Sequence, residues 1–576
     1  MSWVFGFIGQ NLNSDRIKKF ATIHHQPIHR IETNNIYIGA GGIKQTCQLG
    51  VFSESSGWLV VGSGIKKETG QFRILSSVDW QSILTSDEVR LHELDGHFVV
   101  IKWQANQIKF FTDQLGLRTI YFAKTDNGIA FSTRVDWLAQ LLNNSQIDFE
   151  AFGAHWLTFN QISYDSLIKK VKRLGPNGFA VCTPTVIELK NKPWEPSKIS
   201  SEKSQEELEE YLKGLINPSM ELNYSLSLAL SGGLDSRVIL ALLLSEPKKS
   251  FSLHLFSHPS DPDVIIAQRI AQENNLQSVY FNAPLPKPDD CLVILKEYIG
   301  QTCANEPAST FLKLRYYPII HSQNKFIIDG GFGEIWRRQY LNRLLKRGKK
   351  ALLSGNPRLI YPYLLRQRAS IFNEDVIRTM RKGIENQIES LWNTMPKIEE
   401  IGEENFLDLM AIRTRFPNSG CYEQARMDCE VLNYMPFAQP SFLQMLFKTP
   451  LQLRRNGKLL RQIIYKHYPA LARYPLVKNN TTYPFYFSTI PAWGWTKFKA
   501  KLGLSFVDPS VIEFLSVMKV FIQDIIHSDK VKNYSAYDYP AILNLVEQFY
   551  SGKKELANEL DWWLSFELFR RIINAH

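Results

Sequence analysis

The chain has 576 residues, of which 44% are hydrophobic and 21% are charged. These proportions are typical of folded globular proteins and exclude a chain that is mostly disordered. The net charge of +11 indicates an anionic partner, such as a nucleotide, an anionic lipid surface or nucleic acid, or else a solvated basic surface.

The cysteines and the apolar segments both favour a cytoplasmic location. The six cysteines form no CxxC pair, and Cys421 and Cys429 are too far apart for a usual zinc half-site, so a reducing compartment fits best. The first residues lack the basic and long apolar segments of a secretory signal. The most apolar stretch, residues 226–244, contains Asp235 and Arg237, so no membrane span is predicted.

Residues 1–190 are predicted to form an antiparallel, sheet-rich domain. Short alternating or β-branched and aromatic segments are separated there by Gly, Asn and Asp. The predicted strands include residues 3–8, 58–62, 97–103, 108–112, 119–123 and 129–133. Asn127-Gly128 is typical of a hairpin turn, and residues 135–142 and 166–171 are candidate helices.

A change of pattern follows a predicted linker at residues 191–205, which is rich in Pro, Ser, Lys and Glu. Strands and helices then alternate, which predicts a parallel, doubly wound α/β sheet. The strands are predicted at 225–230, 250–255, 278–281 and 325–328, and the helices at 206–215, 236–244 and 264–274. Beyond about residue 333 the chain is predicted to be mostly helical. The predicted domains are therefore 1–190, 206–480 and a helical C-terminal extension at 481–576.

One loop between a predicted strand and a predicted helix concentrates the chemistry of the chain. It consists of Ser231, Gly232, Gly233, Leu234, Asp235 and Ser236. The glycines allow a tight turn, and the unpaired N–H groups of the first helical turn attract a phosphate or pyrophosphate. Asp235 is an acid within an anion site, a conflict that Mg²⁺ bridging Asp235 and a polyphosphate would resolve. The alternative is a plain strand–turn–helix in which Asp or Ser caps the helix.

The SGGLDS loop resembles the pyrophosphate loop of the ATP pyrophosphatase (PP-loop) enzymes. Further segments resemble, in the same order, one branch of these enzymes, the asparagine synthetases. These segments are 113–118, 120–123, 131–133, 328–334, 434–437 and 457–461, followed by Pro469 and Lys478. The resemblance covers about residues 1–480. It implies an α+β glutaminase domain with an Ntn-type sandwich, followed by an α/β PP-loop (adenine nucleotide alpha hydrolase-like) synthetase domain.

The N-terminal domain departs from the family at its glutamine site. The family nucleophile is a Cys directly after Met1, where this chain has Ser2, and a thiolate is much the better nucleophile near neutral pH. The family's R-G-P-D is absent, and its N-G-E is replaced around residues 61–64. These losses predict a domain that keeps the fold without glutaminase activity, although a role for Ser2 as a degenerate nucleophile stays open.

The resemblance also implies a set of site residues in the synthetase half. The implied ATP-binding residues are Leu230, Ser231, Gly232, Gly233, Leu234, Asp235, Ser236, Leu253, Asp329 and Gly330. Asp235 and Glu334 would hold Mg²⁺, and Lys478 would stabilise charge on the acyl phosphate, so these three are the expected catalytic residues.

Alternative roles stay open for three of these residues. The 329–334 loop is shorter and less acidic than the family's, so Glu334 could instead be a charge placed at a helix N-terminus and Asp329 a strand-end turn. Lys478 could be a solvated lysine, as lone lysines in loops usually are. A basic stretch follows the loop and fits an acidic substrate, a peptide, a membrane surface or solvent. It comprises Arg337, Arg338, Arg343, Lys346, Arg347, Lys349 and Lys350.

The implied reaction is ATP-dependent amide formation through an acyl-adenylate, with ATP and Mg²⁺ as cofactors. Three hypotheses differ in the source of the amine and in whether the bound nucleotide is used for catalysis. The first is an asparagine-synthetase-like ligase that uses ammonia or an amine. The second is an intramolecular or peptide amide ligase, as in β-lactam synthetases and lasso-peptide cyclases, and the third is a non-catalytic nucleotide-binding scaffold. The expected partner is a small-molecule or peptide carboxylate; a homodimer stays open, and the sequence gives no direct sign of nucleic-acid binding.

Overall fold

The structure is a computed structural model of the chain. It describes residues 2–10, 26–68, 70–86, 90–142, 145–197, 204–219, 224–246, 250–366, 368–478, 480–487, 494–495, 498 and 507–575.

Two antiparallel sheets occupy residues 3–190. Their strands are β1 (Trp3–Gly9), β2 (His29–Glu32), β3 (Ile36–Gly41), β4 (Cys47–Ser53), β5 (Ser56–Glu68), β6 (Gln71–Ile74), β7 (Asp95–Gln104), β8 (Gln107–Thr112), β9 (Ile120–Thr125), β10 (Gly128–Ser132), β11 (Val171–Leu174), β12 (Phe179–Cys182) and β13 (Ile187–Lys190). The first sheet has the order β11-β9-β10-β1-β3-β2. The second has the order β13-β12-β8-β7-β5-β4, with β6 also paired to β5.

The two sheets face each other across an apolar core. Val4 and Ile8 of β1 pack into the same cluster as Leu59 of β5 and Ile101 of β7. Because side chains alternate along a strand, the residues between them, such as Phe5, face the opposite side and join a cluster of helices. The antiparallel sandwich predicted from the alternating pattern is therefore confirmed.

The first α-helices of the described chain lie between residues 77 and 322. They are α1 (Ser77–Thr85), α2 (Val135–Leu142), α3 (Phe149–Leu157), α4 (Gln205–Leu215), α5 (Asp235–Leu244), α6 (Pro262–Glu273), α7 (Pro288–Thr302), α8 (Ala308–Phe311) and α9 (Tyr317–Ser322). Helix α2 has the predicted bounds.

Two local predictions for the N-terminal half need correction. The expected hairpin forms, but its turn is Asp126-Asn127, one residue earlier than expected, since Thr125 pairs with Gly128. The helix expected at 166–171 is wrong. Ser166 Oγ accepts from the Ile168 N–H, Lys170 has a left-handed φ of 65°, and Val171 already belongs to β11. The left-handed residue breaks any helical run, and the buried Leu167 and Ile168 enter the helix-packed core instead.

A five-stranded sheet follows, and each of its pairings is parallel, as the alternating pattern predicts. Its strands are β14 (Ser225–Ala229), β15 (Phe251–Phe256), β16 (Ser278–Phe281), β17 (Lys325–Ile328) and β18 (Asn433–Tyr434). The strand order is β16-β15-β14-β17-β18. The chain thus winds outward from β14 through β15 and β16, then crosses back to place β17 on the other side of β14.

The rest of the described chain is mainly helical, as predicted, with one short hairpin of β19 (Leu476–Lys478) and β20 (Thr481–Tyr483). The helices are α10 (Gly333–Trp336), α11 (Asn342–Arg347), α12 (Lys349–Ser354), α13 (Pro357–Leu364), α14 (Glu374–Thr394), α15 (Ile398–Ile401), α16 (Glu403–Arg415), α17 (Cys421–Asp428), α18 (Pro440–Phe447), α19 (Leu451–Arg454), α20 (Lys458–His467), α21 (Pro509–Val517), α22 (Lys519–Ile526), α23 (Asp529–Lys532), α24 (Tyr539–Tyr550) and α25 (Ala557–Ile573).

The C-terminal helices share a core with the N-terminal sheet. Trp563 and Phe566 of α25 belong to the same buried cluster as Trp3 and Phe5 of β1, so residues near the two ends of the described chain stabilise each other. The division into domains at 190, 206 and 480 stays a prediction. Within the described residues, no helix is both long and apolar enough to cross a membrane.

Candidate active site

The Ser231–Ser236 loop lies at the carboxyl end of the central strand of the parallel sheet. Strand β14 ends at Ala229, Leu230 to Leu234 form the turn, and α5 begins at Asp235. The chain leaves β14 toward β15 on one side, while β17 lies on the other, so the strand order reverses at this point. Open α/β sheets bind ligands in the crevice beyond the carboxyl ends of the strands at such a switch point. We call this region the switch-point cleft.

The loop is held in shape by its own side chains. Ser236 Oγ accepts from the Ser231 N–H at 3.1 Å, Ser231 Oγ accepts from the Gly233 N–H at 3.2 Å, and the two hydroxyl oxygens are 3.0 Å apart. The carboxylate of Asp263, from α6, accepts from the Gly232 N–H at 2.8 Å. The turn is thus fixed before any ligand binds, with both serine hydroxyls in its centre.

A second loop, residues 329–332 after β17, packs directly on the first. A Cβ atom on Gly330 would lie 2.8 Å from the Ser236 nitrogen, and a Cβ on Gly333 would lie 2.1 Å from Cγ of Asp235. Neither distance leaves room for a side chain. Two glycines are therefore needed where the two strand-end loops meet, and this contact brings Gly330 and Asp235 together as the sequence predicts.

Asp235 is the central charge of the switch-point cleft. Its Oδ2 accepts from Arg337 Nη2 at 2.7 Å, and its Oδ1 is buried with no hydrogen-bond partner among the described residues. Burial raises the pKa of Asp235, while the positive charges of Arg337 and Lys478 oppose that rise. The orphaned oxygen is able to accept a cation or a further donor.

Lys478 is the second cation of the cleft. It ends β19, whose Val477 N–H donates to the Gly232 carbonyl at 3.1 Å, so the short hairpin lies on the loop. The lysine is exposed, yet its pKa is lowered, first by loss of hydration beside the loop and then by the charge of Arg337, with Asp235 opposing. The predicted pair Asp235 and Lys478 is thus brought into electrostatic contact.

Arg237 connects the segment before the β19–β20 hairpin to the Ser231–Ser236 loop. Its guanidinium is fully buried and donates to the carbonyls of Tyr474 and Pro475, each at 2.8 Å, and of Gly232 at 3.1 Å. A further bond goes to the Leu471 carbonyl at 3.4 Å, and a buried cation bonded to four carbonyl oxygens fixes the chain that leads to Lys478. In the sequence pattern this arginine is visible only as an interruption of an apolar run.

The acids of the second loop lie in different surroundings. Glu334 forms an ion pair with Arg415, whose guanidinium also lies 5.2 Å from the centre of the Phe332 ring. Burial raises the pKa of Asp329 to about 6, although its Oδ1 accepts from the Gly331 N–H at 2.7 Å. Asp329 therefore holds its own loop in a turn, and Glu334 is engaged by an arginine.

Of the two residues predicted to hold Mg²⁺, Asp235 is the better fit. The unpartnered Oδ1 of Asp235 suits a hard cation, whereas Glu334 is already paired with Arg415. In the part of the chain that the structure describes, no group of three His, Cys, Asp or Glu side chains could hold a metal ion. Any metal in this cleft would thus take most of its ligands from elsewhere than protein side chains.

Leu253 does not present its side chain to the cleft. It lies inside β15, three residues before the strand ends at Phe256, and its side chain is fully buried in the main hydrophobic cluster. Leu230 is buried at the start of the loop and belongs to the same cluster. Phe256 and Ser257, at the end of β15, are the residues of that strand which reach the carboxyl edge of the sheet.

Ser2 lies in a separate, closed centre. The residue is fully buried, and its hydroxyl has no hydrogen-bond partner among the described residues. Gly42, with a φ of 122°, packs so closely that a Cβ there would lie 2.5 Å from Cα of Ser2. The Ser2 carbonyl accepts from the guanidinium of Arg118.

A buried carboxylate joins this centre to the parallel-sheet half. Asp428, at the end of α17, pairs with Arg118 at 3.1 Å and with His97 at 3.0 Å, and it also accepts from Gln424 and Asn433, each at 3.1 Å. Burial acts to raise the pKa of Asp428, but the charges of His97 and Arg118 hold it below its usual range. We call Ser2, His97, Arg118 and Asp428 the Ser2 centre.

The sequence does not single out Arg337 as part of the site. Its pattern groups Arg337 with the basic stretch, but the residue is only 12% exposed and pairs with Asp235, whereas Arg343, Lys346 and Arg347 are exposed. The stretch is broken into short helices, so it does not form one basic face. Asp263 is a second site residue absent from the predicted set. Its position two residues into a helix after the neighbouring strand was the available signal.

Comparisons with protein families and curated proteins find no match, and the similar solved structures are only weakly similar. A glutamine phosphoribosylpyrophosphate amidotransferase from B. subtilis, complexed with ADP and GMP, is similar at 8% identity and a TM-score of 0.22, over 49% of this chain and 69% of that chain. The allosteric regulatory enzyme of purine biosynthesis is similar at 8% identity and a TM-score of 0.23, over 50% and 82%. At such scores neither likeness indicates an activity for this chain.

Proposed function

We propose that the protein is an ATP-dependent ligase that activates a carboxylate as an acyl-adenylate and passes the acyl group to an amine. One observation carries the proposal. The glycine and serine loop Ser231–Ser236 lies at the switch point of a parallel sheet, with Asp235, Arg337 and Lys478 gathered over it. The N-terminal sandwich and the parallel sheet would be the Ntn-type and PP-loop domains that the resemblance to asparagine synthetases implies.

The charges of the cleft suit a polyphosphate. Arg337 and Lys478 carry positive charge, and the serine hydroxyls and the N-terminal end of α5 add donors and a favourable dipole. The pKa of Lys478 is lowered first by loss of hydration and then by the positive charge of Arg337, and a bound phosphate would offset the repulsion between these two cations. The residues would therefore bind ATP by neutralising it, with Gly232 and Gly233 allowing close approach of the backbone.

The reaction would run in two balanced steps. A carboxylate oxygen of the substrate attacks the α-phosphorus of ATP, and the bond from that phosphorus to the bridging oxygen breaks, so pyrophosphate leaves. The amine nitrogen then attacks the acyl carbon, the bond to the AMP oxygen breaks, and the amine loses one proton to solvent. Lys478 and Arg337 would stabilise the charge that develops on the phosphate oxygens in both steps.

Asp235 is the residue of the cleft that would hold Mg²⁺. Asp235 Oδ1 is the protein oxygen that fits it, with phosphate oxygens and water as the other ligands. When bound, such an ion supplies charge neutralisation at the phosphates. Arg337 would keep hold of the second oxygen of Asp235, which fixes the direction of the carboxylate.

The Ser2 centre favours an amine carried by the substrate itself as the nitrogen source. A glutaminase needs an accessible nucleophile, and Ser2 is fully buried with Gly42 packed against it. We therefore propose the intramolecular or peptide amide ligase as the more specific form of the activity. Ammonia from solution is the competing source.

Two measurements on the full chain test the proposal. Calorimetric titration with Mg-ATP is expected to give saturable binding that is weakened at least about tenfold by Asp235→Asn. ATP–pyrophosphate exchange with candidate carboxylates, aspartate first, is expected to fall by about 100-fold or more in Lys478→Met, while ATP binding weakens by a much smaller factor. Asp524→Asn on α22 and Lys382→Met on α14 are matched controls, since both side chains are exposed and far along the chain from the cleft.

Each outcome separates the hypotheses. Exchange with aspartate that also yields asparagine from ammonium would favour the asparagine-synthetase-like form. Binding of ATP without exchange for any carboxylate, including peptides, would favour the non-catalytic scaffold. Failure of the wild-type protein to bind ATP would overturn both the ligase hypotheses and the scaffold hypothesis.

A further inference from the structure

A cavity of about 590 Å³ lies on the same sheet edge as the switch-point cleft, one and two strands away. Its walls come from the ends of β15 and β16, from the segment around Lys313, and from the starts of α21 and α25. Neighbouring strands are about 4.8 Å apart, so the cavity begins within about 10 Å of the loop after β14. Its volume is in the range of small-ligand sites, roughly 300–1,000 Å³. We call it the edge cavity.

Aromatic rings belong to the lining of the edge cavity. Phe281 and Tyr316 both line it, with ring centres 5.0 Å apart and planes at 28°. Phe256 stacks behind Tyr316 at 5.7 Å with nearly parallel planes. These rings offer an apolar surface for a carbon-rich part of a ligand.

Two cations, Lys313 and Arg315, belong to the lining and lack a carboxylate partner among the described residues. Arg315 Nη2 donates to the carbonyl of Ala283 at 2.7 Å and to Tyr316 Oη at 2.9 Å, which fixes the guanidinium in place. Its Nη1 is buried and has no acceptor among the described residues. Lys313 Nζ donates to Ser257 Oγ at 3.2 Å, and no described carboxylate lies within ion-pair distance. Both groups are able to receive an anionic oxygen.

Three carboxylates also belong to the lining, and no described cation forms an ion pair with them. Asp508 accepts from the Ser510 N–H at 2.9 Å, Asp561 is buried and bonded to Ser309, and Glu513 is exposed. Burial raises the pKa of Asp561 to about 7 although the bonds from Ser309 oppose it. An ammonium group placed here would lower that pKa again.

Opposite charges therefore line one cavity without forming ion pairs across it. We propose that the edge cavity binds a zwitterionic amino acid or short peptide, with its carboxylate at Lys313 and Arg315 and its ammonium group at Asp508, Glu513 and Asp561. The rings of Phe281 and Tyr316 would contact an apolar side chain of that ligand. ATP is a poorer match, because it carries no ammonium group to pair with the three carboxylates. The assignment rests on the proposed function only for its link to catalysis, since the binding itself needs no nucleotide.

The test uses the full chain and the dipeptide L-alanyl-L-phenylalanine in three forms: with both termini free, N-acetylated, and C-amidated. Calorimetric titration without ATP is expected to show binding of the free form in the millimolar range or tighter. Each blocked form is expected to bind about tenfold more weakly, because it leaves one set of charges unmatched.

Two variants assign the two ends of the ligand. Lys313→Met should weaken the free form by about tenfold and leave the affinity for the C-amidated form unchanged, while Glu513→Gln should weaken the free form and leave the N-acetylated form unchanged. Lys382→Met, an exposed change on α14, is the control. Circular dichroism would verify that each variant is folded.

Three results would overturn the proposal. They are no binding of the free dipeptide at about 10 mM, equal binding of the free and both blocked forms, and equal weakening of all forms by Lys313→Met. The dipeptide titration and the Mg-ATP titration are separate measurements on the same wild-type protein. Loss of one with retention of the other therefore distinguishes failure of this site from failure of the proposed ligase.

Discussion

The Ser2 centre and the switch-point cleft each place a serine near an aspartate and an arginine, but they use these groups in opposite ways. In the Ser2 centre Asp428 is fully buried and meets His97 and Arg118, so its charge is matched within the protein. In the cleft Asp235 keeps one oxygen without a partner among the described residues, and Arg337 and Lys478 lie on one side of it. Buried charges that are paired within the protein stabilise one conformation. Charges that are unpaired at the edge of the sheet are available to bind a ligand.

The largest effect is expected from breaking the matched charges. Asp428→Asn would leave the guanidinium of Arg118 buried without its counter-charge, and such a loss costs about 3–5 kcal/mol of unfolding free energy. Urea denaturation would measure it. Asp375→Asn is the control, because Asp375 is 82% exposed in its pair with Arg378 and should change stability by less than about 1 kcal/mol. Equal, small effects of both variants would show that the Ser2 centre does not stabilise the fold.

The next effect concerns the contact between the two loops of the cleft. Gly333→Ala would place a Cβ atom 2.1 Å from Cγ of Asp235, so the carboxylate must turn away from Arg337. A displacement of about 1 Å at a reacting centre lowers rates by about 100-fold, and we expect that loss in ATP–pyrophosphate exchange. Gly494→Ala is the control, since nothing lies within 4 Å of a Cβ there. Unchanged exchange in Gly333→Ala would mean that Asp235 need not hold its position.

Much of the parallel sheet could be predicted because the local pattern decides it. The strands 278–281 and 325–328 have the predicted bounds, since apolar residues flanked by polar turns leave little choice of register. The loop at 231–236 was equally visible, because glycines between a strand and a helix signal both the turn and a possible phosphate site. The failed helix at 166–171 has apolar residues that satisfy either structure, and a single left-handed residue at Lys170 decided the outcome.

The partners of the site could not be predicted, since they come from distant parts of the chain. Arg337 is 102 residues from Asp235, and Asp428 is 331 residues from His97. Nothing near Arg337 in the sequence distinguishes it from the exposed arginines that come after it. The strand that contains Leu253 is predicted to end one residue from its observed end, but the burial of Leu253 inside β15 follows from its register with Leu228 on another strand.

A smaller effect, with a defined pH dependence, is expected at the same interface as the Ser2 centre. Asp95 is buried and accepts from the Ser441 N–H at 2.9 Å, and burial raises its pKa to about 6 despite the donors of Ser441. The folded state then binds the proton more tightly than the unfolded state. The contribution of Asp95 to stability is therefore greatest below about pH 4 and falls as pH rises to about 6.

Asp95→Asn removes this titration while keeping an acceptor for Ser441. Relative to wild type, the variant should gain roughly 1–3 kcal/mol of unfolding free energy between about pH 4 and pH 7. Urea denaturation of both proteins across that range would measure the difference. A difference that stays constant with pH would show that Asp95 titrates normally in the folded protein.

The smallest effect is expected from restoring the nucleophile that the resemblance calls for. Ser2→Cys should yield no glutamine hydrolysis above the wild-type level, because residue 2 is fully buried and Gly42 is packed against it, so a thiol there would not meet glutamine. Ser2→Ala is the matched control, and it should be as stable as wild type or up to about 1 kcal/mol more stable, since the hydroxyl has no partner among the described residues. Glutamate release from glutamine is the readout. Release by the cysteine variant and not by the alanine variant would show that the Ser2 centre opens to substrate, and the contrast between the closed centre and the open cleft would then be one of residue choice and not of access.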